Sequence, residues 1–261
     1  MQPRAIEING RPAGSGRFPA ICAPLVGRTM QRLLDEVSVV AAKKPDILEW
    51  RVDFFEGIAD TPLVADLCGR IKAASGGIPL LFTRRSSNEG GERIALSEAE
   101  VIAMYRAVCR TGQVDIVDYE CSNHATDVAE VREMTQARGI KLLLSFHDFN
   151  GTPTTEGMIK RFAHAANLGA DIAKVAVMPK GMDDVLRLLD ATLQSGKQLE
   201  IPVVSMSMGR LGAVTRMCGW AFGSAMTFAI GESSSAPGQM AIEDVDAGLA
   251  LLQKALRRED L

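Results

Sequence analysis

Eight apolar runs recur along this chain, at 18–25, 46–52, 79–83, 114–119, 140–147, 171–178, 201–206 and 224–229. Most are uninterrupted rather than alternating between polar and apolar. A strand with that pattern has both faces covered, as parallel strands flanked by helices require. The segments between them carry helical periodicity. Met30, Leu33, Leu34, Val37, Val40 and Ala41 share one face of a helix near 29–43, and Val101, Ile102, Tyr105, Val108 and Cys109 share one near 97–110. Ile242, Val245, Leu249, Leu252 and Leu256 form the last such stripe. This alternation makes an α/β fold with a closed (β/α)8 barrel the leading architecture, ahead of an open doubly wound sheet. The 261 residues suit one barrel, so 1–261 reads as a single catalytic domain. Residues 1–17 precede the first strand, and Asn9-Gly10 predicts a short hairpin there, outside the barrel proper.

Composition narrows the function. A net charge of −3 with no long basic run argues against nucleic acid or an anionic membrane as partner. No apolar stretch approaches the roughly 20 residues of a membrane helix. The start of the chain lacks the apolar core of a signal peptide. Cys22, Cys68, Cys109, Cys121 and Cys218 are odd in number and scattered, which reads as reduced thiols in a cytoplasm rather than a disulfide frame or a zinc site.

In a barrel of this kind, chemistry gathers at the C-terminal ends of the strands. Polar groups fall there repeatedly: Glu49, Arg51 and Asp53; Thr83, Arg84 and Arg85, followed by Glu89; Asp118 and Glu120; Ser145 and His147; Lys174; Ser205 and Ser207. Lys174 stands out, because it lies inside the apolar run Ile172-Ala173-Lys174-Val175-Ala176-Val177. Desolvation disfavours an ammonium in such a place, and a free amine can attack a carbonyl to form an imine. Each residue also has a plainer reading. Lys174 fits an exposed strand edge, and His147 fits a hydrogen-bonded structural histidine. Glu49 and Arg51, two apart and on one strand face, fit a buried ion pair with each other. Asp148 suits a loop cap, and Asp183 and Asp184 suit the first turn of a helix. Met206 and Met208 suit packing, and Gly90-Gly91 suits a mobile loop. Jointly, an amine, a histidine and several arginines on neighbouring strand ends describe one pocket.

At these residues the chain closely resembles type I 3-dehydroquinate dehydratases. The resemblance rests on Leu-Glu-Trp-Arg-Val-Asp (48–53), Phe-Thr-Arg-Arg-Ser (82–86), Glu-Gly-Gly-Glu (89–92), His-Asp-Phe (147–149), Gly-Ala-Asp-Ile-Ala-Lys-Val-Ala-Val-Met-Pro (169–179), Met-Ser-Met-Gly (206–209), Phe-Gly-Ser (222–224) and Ser-Ala-Pro-Gly-Gln (235–239). It runs in order from about residue 18 to the end. It implies a (β/α)8 barrel, a cytoplasmic homodimer, no metal and no diffusible cofactor. It also implies a carbon–oxygen lyase that converts 3-dehydroquinate to 3-dehydroshikimate, in shikimate biosynthesis or quinate breakdown. By the same resemblance, Lys174 forms the imine, His147 moves the C2 proton and Glu89 partners His147. Glu49, Arg51 and Arg85 grip the hydroxyl and carbonyl region of the ring. Arg216, Ser235 and Gln239 bind the carboxylate, and 231–239 is a lid. Arg84 stands where the family often has an apolar residue, Cys22-Ala23-Pro24 where some relatives carry a serine, and Trp220 where a glutamate is common. Since neighbours on a strand face opposite ways, the site role goes to Arg85 rather than Arg84. Two other readings remain open: a class I aldolase sharing the lysine chemistry, and a barrel that binds a carbocyclic acid without turnover.

Overall fold

In the computed structural model, which describes residues 3–13 and 18–256 (Leu256 by its backbone alone), the apolar runs curl into one parallel barrel. The hairpin comes first, β1 (Glu7–Ile8) and β2 (Arg11–Pro12), turning at Asn9 and Gly10, which have φ of 51° and 72°. Positive φ at both turn positions is the geometry that Asn-Gly favours. The chain then runs β3 (Ala20–Leu25), α1 (Met30–Ala42), β4 (Ile47–Arg51), α2 (Thr61–Ala74), β5 (Leu80–Thr83), α3 (Glu98–Thr111), β6 (Ile116–Glu120) and α4 (Ala125–Gln136). It continues through β7 (Lys141–Asp148), α5 (Thr155–Asn167), β8 (Ile172–Val177), α6 (Met182–Gln198), β9 (Val203–Ser207), α7 (Gly209–Cys218), β10 (Met226–Phe228) and α8 (Ile242–Leu256). Each expected strand and each expected helical stripe is present. The rest of the 1–17 extension, Met1, Gln2 and residues 14–17, and the Leu256 side chain lie outside the described residues.

Alternation along each strand sorts side chains into two cores. Ile47, Leu81, Ile116, Leu143, Ile172 and Val204 point into the barrel, where Ile6, Ile8 and Ala13 of the hairpin segment close its N-terminal end. Leu48, Trp50, Phe82, Val117, Leu144 and Val175 point outward beneath the helices. The outer layer includes a ladder of edge-to-face rings, Trp50–Phe82, Phe82–Tyr105 and Tyr105–Tyr119, at 5.7, 5.3 and 5.6 Å.

Two elements differ from the sequence expectation. The last strand spans only Met226–Phe228, because the Ser224 N–H is taken by Gly219 O at 3.1 Å and cannot start the ladder. Instead the barrel closes through a single bridge, Val203 to Ser224. Ala225 N–H donates to Val203 O at 2.8 Å and Ser205 N–H donates to the Ser224 hydroxyl at 3.0 Å. The stripe on α8 also stops early: Leu249 is 3% exposed and Leu252 37%.

The N-terminal rim carries a repeated device. Asp46, Asp115 and Asp171 each stand just before an even-numbered strand. Each accepts the N–H of the neighbouring odd-numbered strand, from Ile21 (2.7 Å), Leu80 (2.7 Å) and Leu142 (2.8 Å) respectively. The same aspartates donate their own N–H to Ile21 O, Leu80 O and Leu142 O. Lys72 bonds Asp115, and Arg132 bonds Asp171 at 2.6 Å. These contacts lie at the end opposite the chemistry. Asp115→Ala is therefore expected to lower the unfolding free energy by about 1–3 kcal/mol, the usual cost of orphaning a buried donor, with kcat unchanged. Chemical denaturation and steady-state assays check both parts.

Candidate active site

Inside the barrel, the inward positions change from apolar to charged toward the C-terminal ends. Glu49 and Arg51 on β4, Asp118 and Glu120 on β6, His147 on β7 and Lys174 on β8 continue the rows begun by Ile47, Ile116, Leu143 and Ile172. The nine residues expected to form the site, Lys174, His147, Glu89, Glu49, Arg51, Arg85, Arg216, Ser235 and Gln239, all line one cavity of about 40 Å³. Met206 and Met208 pack in the inner core as expected, and they line the cavity as well.

Lys174 is 5% exposed and sits inside the barrel, not at an edge. Its Nζ lies 3.2 Å from Asp118 Oδ2 and 4.4 Å from the centroid of the Phe228 ring. Asp118 is shared. Its Oδ2 also accepts from Arg85 Nη2 at 2.6 Å, and its Oδ1 accepts from the Ser145 hydroxyl at 2.6 Å. Burial opposes the Asp118 charge, but Arg85 and then Lys174 outweigh it and hold the carboxyl below its ordinary range. Arg85 Nη1 donates to Glu120 Oε1 at 3.0 Å and to Ser145 Oγ at 2.9 Å. Burial also works against the Arg85 charge, and Asp118, Glu120, Glu89 and Glu49 overcome it, so the guanidinium stays charged.

His147 is held by Glu89, which comes from the loop after β5. Glu89 Oε2 lies 2.9 Å from His147 Nδ1 and accepts the His147 N–H at 3.0 Å, while Oε1 accepts from the Ser122 hydroxyl at 2.6 Å. With Glu89 ionised, Nδ1 carries the proton and Nε2 keeps its lone pair. Burial, then the charges of Arg85, Lys174 and Arg51, push the imidazole well below 6.5. Burial, with Glu120 adding to it, pushes the Glu89 carboxyl up to about 7. The pair thus holds one proton between two groups, with His147 a neutral base.

The structure revises two local readings. Arg51 does not pair with Glu49. It forks onto Asp53, Nε to Oδ1 and Nη2 to Oδ2, both 2.8 Å, and Glu49 instead accepts from the Thr83 hydroxyl at 3.0 Å. The 3₁₀ turn Val52–Phe54 swings Asp53 back over Arg51, which sequence spacing alone does not show. Gly90-Gly91 marks tight packing rather than looseness: a Cβ at Gly91 would fall 2.0 Å from Arg85 O and one at Gly90 2.2 Å from the Phe149 ring. Asp148, by contrast, caps its loop as expected, accepting from Asn150 N–H at 2.8 Å. Asp183 and Asp184 lie in the first turn of α6. Arg84 points outward to Glu98, as strand alternation requires, and its N–H donates to the Tyr105 hydroxyl at 3.0 Å. That hydroxyl donates onward to Asp118 O at 2.8 Å.

Arg216, on α7, is the exception among the buried arginines. Arg51, Arg84 and Arg85 each meet a carboxylate, whereas Arg216 meets none among the described residues. Its donors go to Gly238 O (2.8 Å), Phe228 O (3.2 Å) and Pro237 O (3.2 Å), and burial pulls its pKa down to about 10. Gly238 and Pro237 belong to segment 231–239, which crosses the mouth. There Ser235 N–H donates to Gln239 Oε1 at 3.0 Å, Arg51 Nη1 donates to Ser235 O at 3.3 Å, and Arg32 pairs with Glu232 at 2.9 Å. Asp118, Asp53, Ser122 and Phe228 take part in these contacts although nothing in the sequence sets them apart from other strand-end or loop residues. Only their distances reveal those roles.

A buried amine, an imidazole whose pKa burial lowers and a guanidinium with no carboxylate partner among the described residues converge on the mouth of one (β/α)8 barrel. This places the chain in the class of barrel enzymes that act on small anionic molecules. Its particular lineage is clear from comparison: residues 21–255 match the family of type I 3-dehydroquinases, and the chain belongs to that family. It is 53% identical to the 3-dehydroquinate dehydratase of Albidiferax ferrireducens over 253 residues, 97% of this chain and 96% of the relative. The crystal structure of 3-dehydroquinate dehydratase from Geobacillus kaustophilus superposes with a TM-score of 0.94 at 47% identity, covering 98% of this chain and 99% of that one. The type I enzyme from Clostridium difficile, solved with covalently modified comenic acid, superposes with a TM-score of 0.91 at 36% identity, covering 97% and 99%.

The Glu89–His147 geometry sets a pH dependence. Base action by His147, the role expected of it, needs the pair to hold a single proton, so kcat/KM is expected to fall on the acid side as the pair takes up a second. Glu89→Gln removes the negative charge that favours imidazolium, which drives the His147 pKa further down. The acid limb of kcat/KM is expected to move to lower pH, on a plateau reduced about a hundredfold or more. A pH–rate profile checks it, and a limb that stays in place would assign it to another group.

Proposed function

We propose that this chain is a 3-dehydroquinate dehydratase of the imine-forming kind, a hydro-lyase converting 3-dehydroquinate to 3-dehydroshikimate, with 1–261 serving as one catalytic domain. The reading fits the shikimate pathway, with quinate breakdown as the other physiological use. One observation carries it: Lys174, the His147–Glu89 pair and Arg216 line the same small cavity. Covalent chemistry in the C. difficile relative, whose structure holds covalently modified comenic acid, supports a nucleophile in this family's pocket. No helix of the described residues is long and apolar enough to cross a membrane. A cytoplasmic homodimer needing neither metal nor cofactor completes the proposal.

In this mechanism the Lys174 ammonium first gives up a proton to His147, the amine attacks the C3 ketone, and His147 returns that proton to the carbinolamine hydroxyl. The carbinolamine loses water to give a protonated imine, which acts as an electron sink. His147 Nε2 removes a C2 proton, leaving an enamine. The enamine electrons expel the C1 hydroxyl, which leaves as water after His147 returns the proton. Water then hydrolyses the conjugated imine, releasing the enone and restoring the amine. Glu89 fixes the His147 tautomer and supports the imidazolium while it exists. Glu49, Arg51 and Arg85 line the side that faces the ring hydroxyls and ketone.

Arg216 supplies a planar fork for the substrate carboxylate, with Ser235 and Gln239 beside it. A cavity of about 40 Å³ is far below the ~300 Å³ and upward of usual ligand sites, so segment 231–239 moves as a lid to admit substrate. Closing it over a bound carboxylate redirects Arg216 from lid carbonyls to the anion.

Borohydride reduction in the presence of 3-dehydroquinate should leave a stable adduct on Lys174, read by mass spectrometry. Lys174→Ala should lose both adduct and turnover, and an adduct elsewhere would sink the assignment. His147→Ala should still trap substrate while kcat drops roughly 10²–10⁴-fold. Arg216→Lys keeps the charge but loses the fork, so KM should rise at least about tenfold with less change in kcat. Initial-rate measurements decide that split.

A further inference from the structure

The positive nitrogen of the proposed imine needs a stabiliser that cannot take its proton. Asp118 is a poor sole candidate. Its Oδ2 contacts Lys174 Nζ at 3.2 Å but already accepts from Arg85 at 2.6 Å. A carboxylate is also a base. If it drew the N–H proton from the iminium, the neutral imine left behind would be a much weaker electron sink. The face of an aromatic ring attracts a cation through its quadrupole and offers no basic lone pair.

We propose that Phe228 is a catalytic residue: its ring face stabilises the positive charge on the Lys174 nitrogen as the imine forms. This rests on the imine reading given above and deepens it. Nζ lies 4.4 Å from the ring centroid, within cation–π range, and both side chains are buried. The ring is not free to drift. Phe228 is paired in register with Cys22 of β3, and its carbonyl oxygen accepts from Arg216 Nη1 at 3.2 Å. One residue thus touches the carboxylate grip through its backbone and the nucleophile through its ring.

The charge balance favours a ring over a second carboxylate. In carbinolamine dehydration the C3 hydroxyl takes a proton from His147, the C3–O bond breaks as the nitrogen lone pair forms the C3=N bond, and the oxygen leaves as water, so Nζ becomes a fixed cation bonded to C3. When His147 removes the C2 proton, the C2–H electron pair moves toward nitrogen and the cation is discharged into a neutral enamine. A strong counter-charge would favour the iminium but oppose its discharge. A weaker, non-basic attraction supports imine formation with a smaller penalty on the next step. The expected contribution is roughly three- to thirty-fold in imine formation.

Replacing Phe228 site-specifically by phenylalanines with progressively more ring fluorines keeps the ring shape and strips away its quadrupole. The readouts are the rate of borohydride-trapped adduct on Lys174 with 3-dehydroquinate, kcat/KM, and the thermal midpoint as a check on folding. The expected result is a stepwise fall in trapping rate with each fluorine, about three- to thirty-fold across the series, with Phe228→Leu as slow as the most fluorinated ring. A flat fluorine series, with the native enzyme trapping normally, overturns the proposal and leaves the imine reading intact. So does a loss seen in Phe228→Leu alone, which would make the ring a matter of shape. Absence of any Lys174 adduct in the native enzyme overturns both readings.

Discussion

The carboxylate of Asp118, held between two buried cations, is the interaction on which the mouth of this barrel depends. Placing Lys174 and Arg85 inside a barrel removes two charges from water at a cost of several kcal/mol each, and one shared acid compensates both. Removing one member of such a set leaves an uncompensated buried charge, which costs about 3–5 kcal/mol. The Ser145 hydroxyl and Glu120 complete the set at 2.6 Å from Asp118 and 3.0 Å from Arg85. Lys174 is thereby fixed in place without being locked into an exclusive pair, which the proposed imine chemistry requires.

The alternation of strand side chains explains why so many distant segments meet here. Every inward position on a barrel strand shares its direction with the residue two places earlier, so rows starting at Ile47, Ile116, Leu143 and Ile172 end at Arg51, Glu120, His147 and Lys174 within one or two steps. The outward rows meet helices instead. Arg84 falls on such a row, yet it is not isolated from the chemistry. Its N–H reaches the Tyr105 hydroxyl, which reaches the carbonyl of Asp118. The outer aromatic layer therefore braces the strand that carries the central carboxylate.

Much of this was readable from the chain itself. Uninterrupted apolar runs gave the parallel strands to within a few residues, and polar groups at their C-terminal ends gave the location of the site. The residue roles came from the motif resemblance rather than from spacing. What could not be read were pairings that depend on the third dimension. Arg51 and Glu49 share a strand face, but a 3₁₀ turn brings Asp53 closer. Gly91 looks like loop filler in the sequence, although its missing Cβ is what lets the chain pass Arg85 O. The short last strand is equally hidden, because its limit is set by where the Ser224 N–H is already engaged.

The barrel is stitched unevenly around its circumference. β7 and β8 are joined over six register pairs, from Leu143–Ile172 to Asp148–Val177, whereas β9 and β10 are joined by a single bridge. His147 and Lys174 stand on the densely joined wall. Phe228 lies on β10, and Arg216 and the segment over the mouth attach beside the sparse seam. Stiffness is thus distributed by role. The proposed proton transfer tolerates little positional error, and it falls on the wall joined by the six register pairs. The proposed admission and release of substrate need compliance, and the sparse seam is where the wall is least tied, while Phe228 is held from its other side by its pairing with Cys22 of β3.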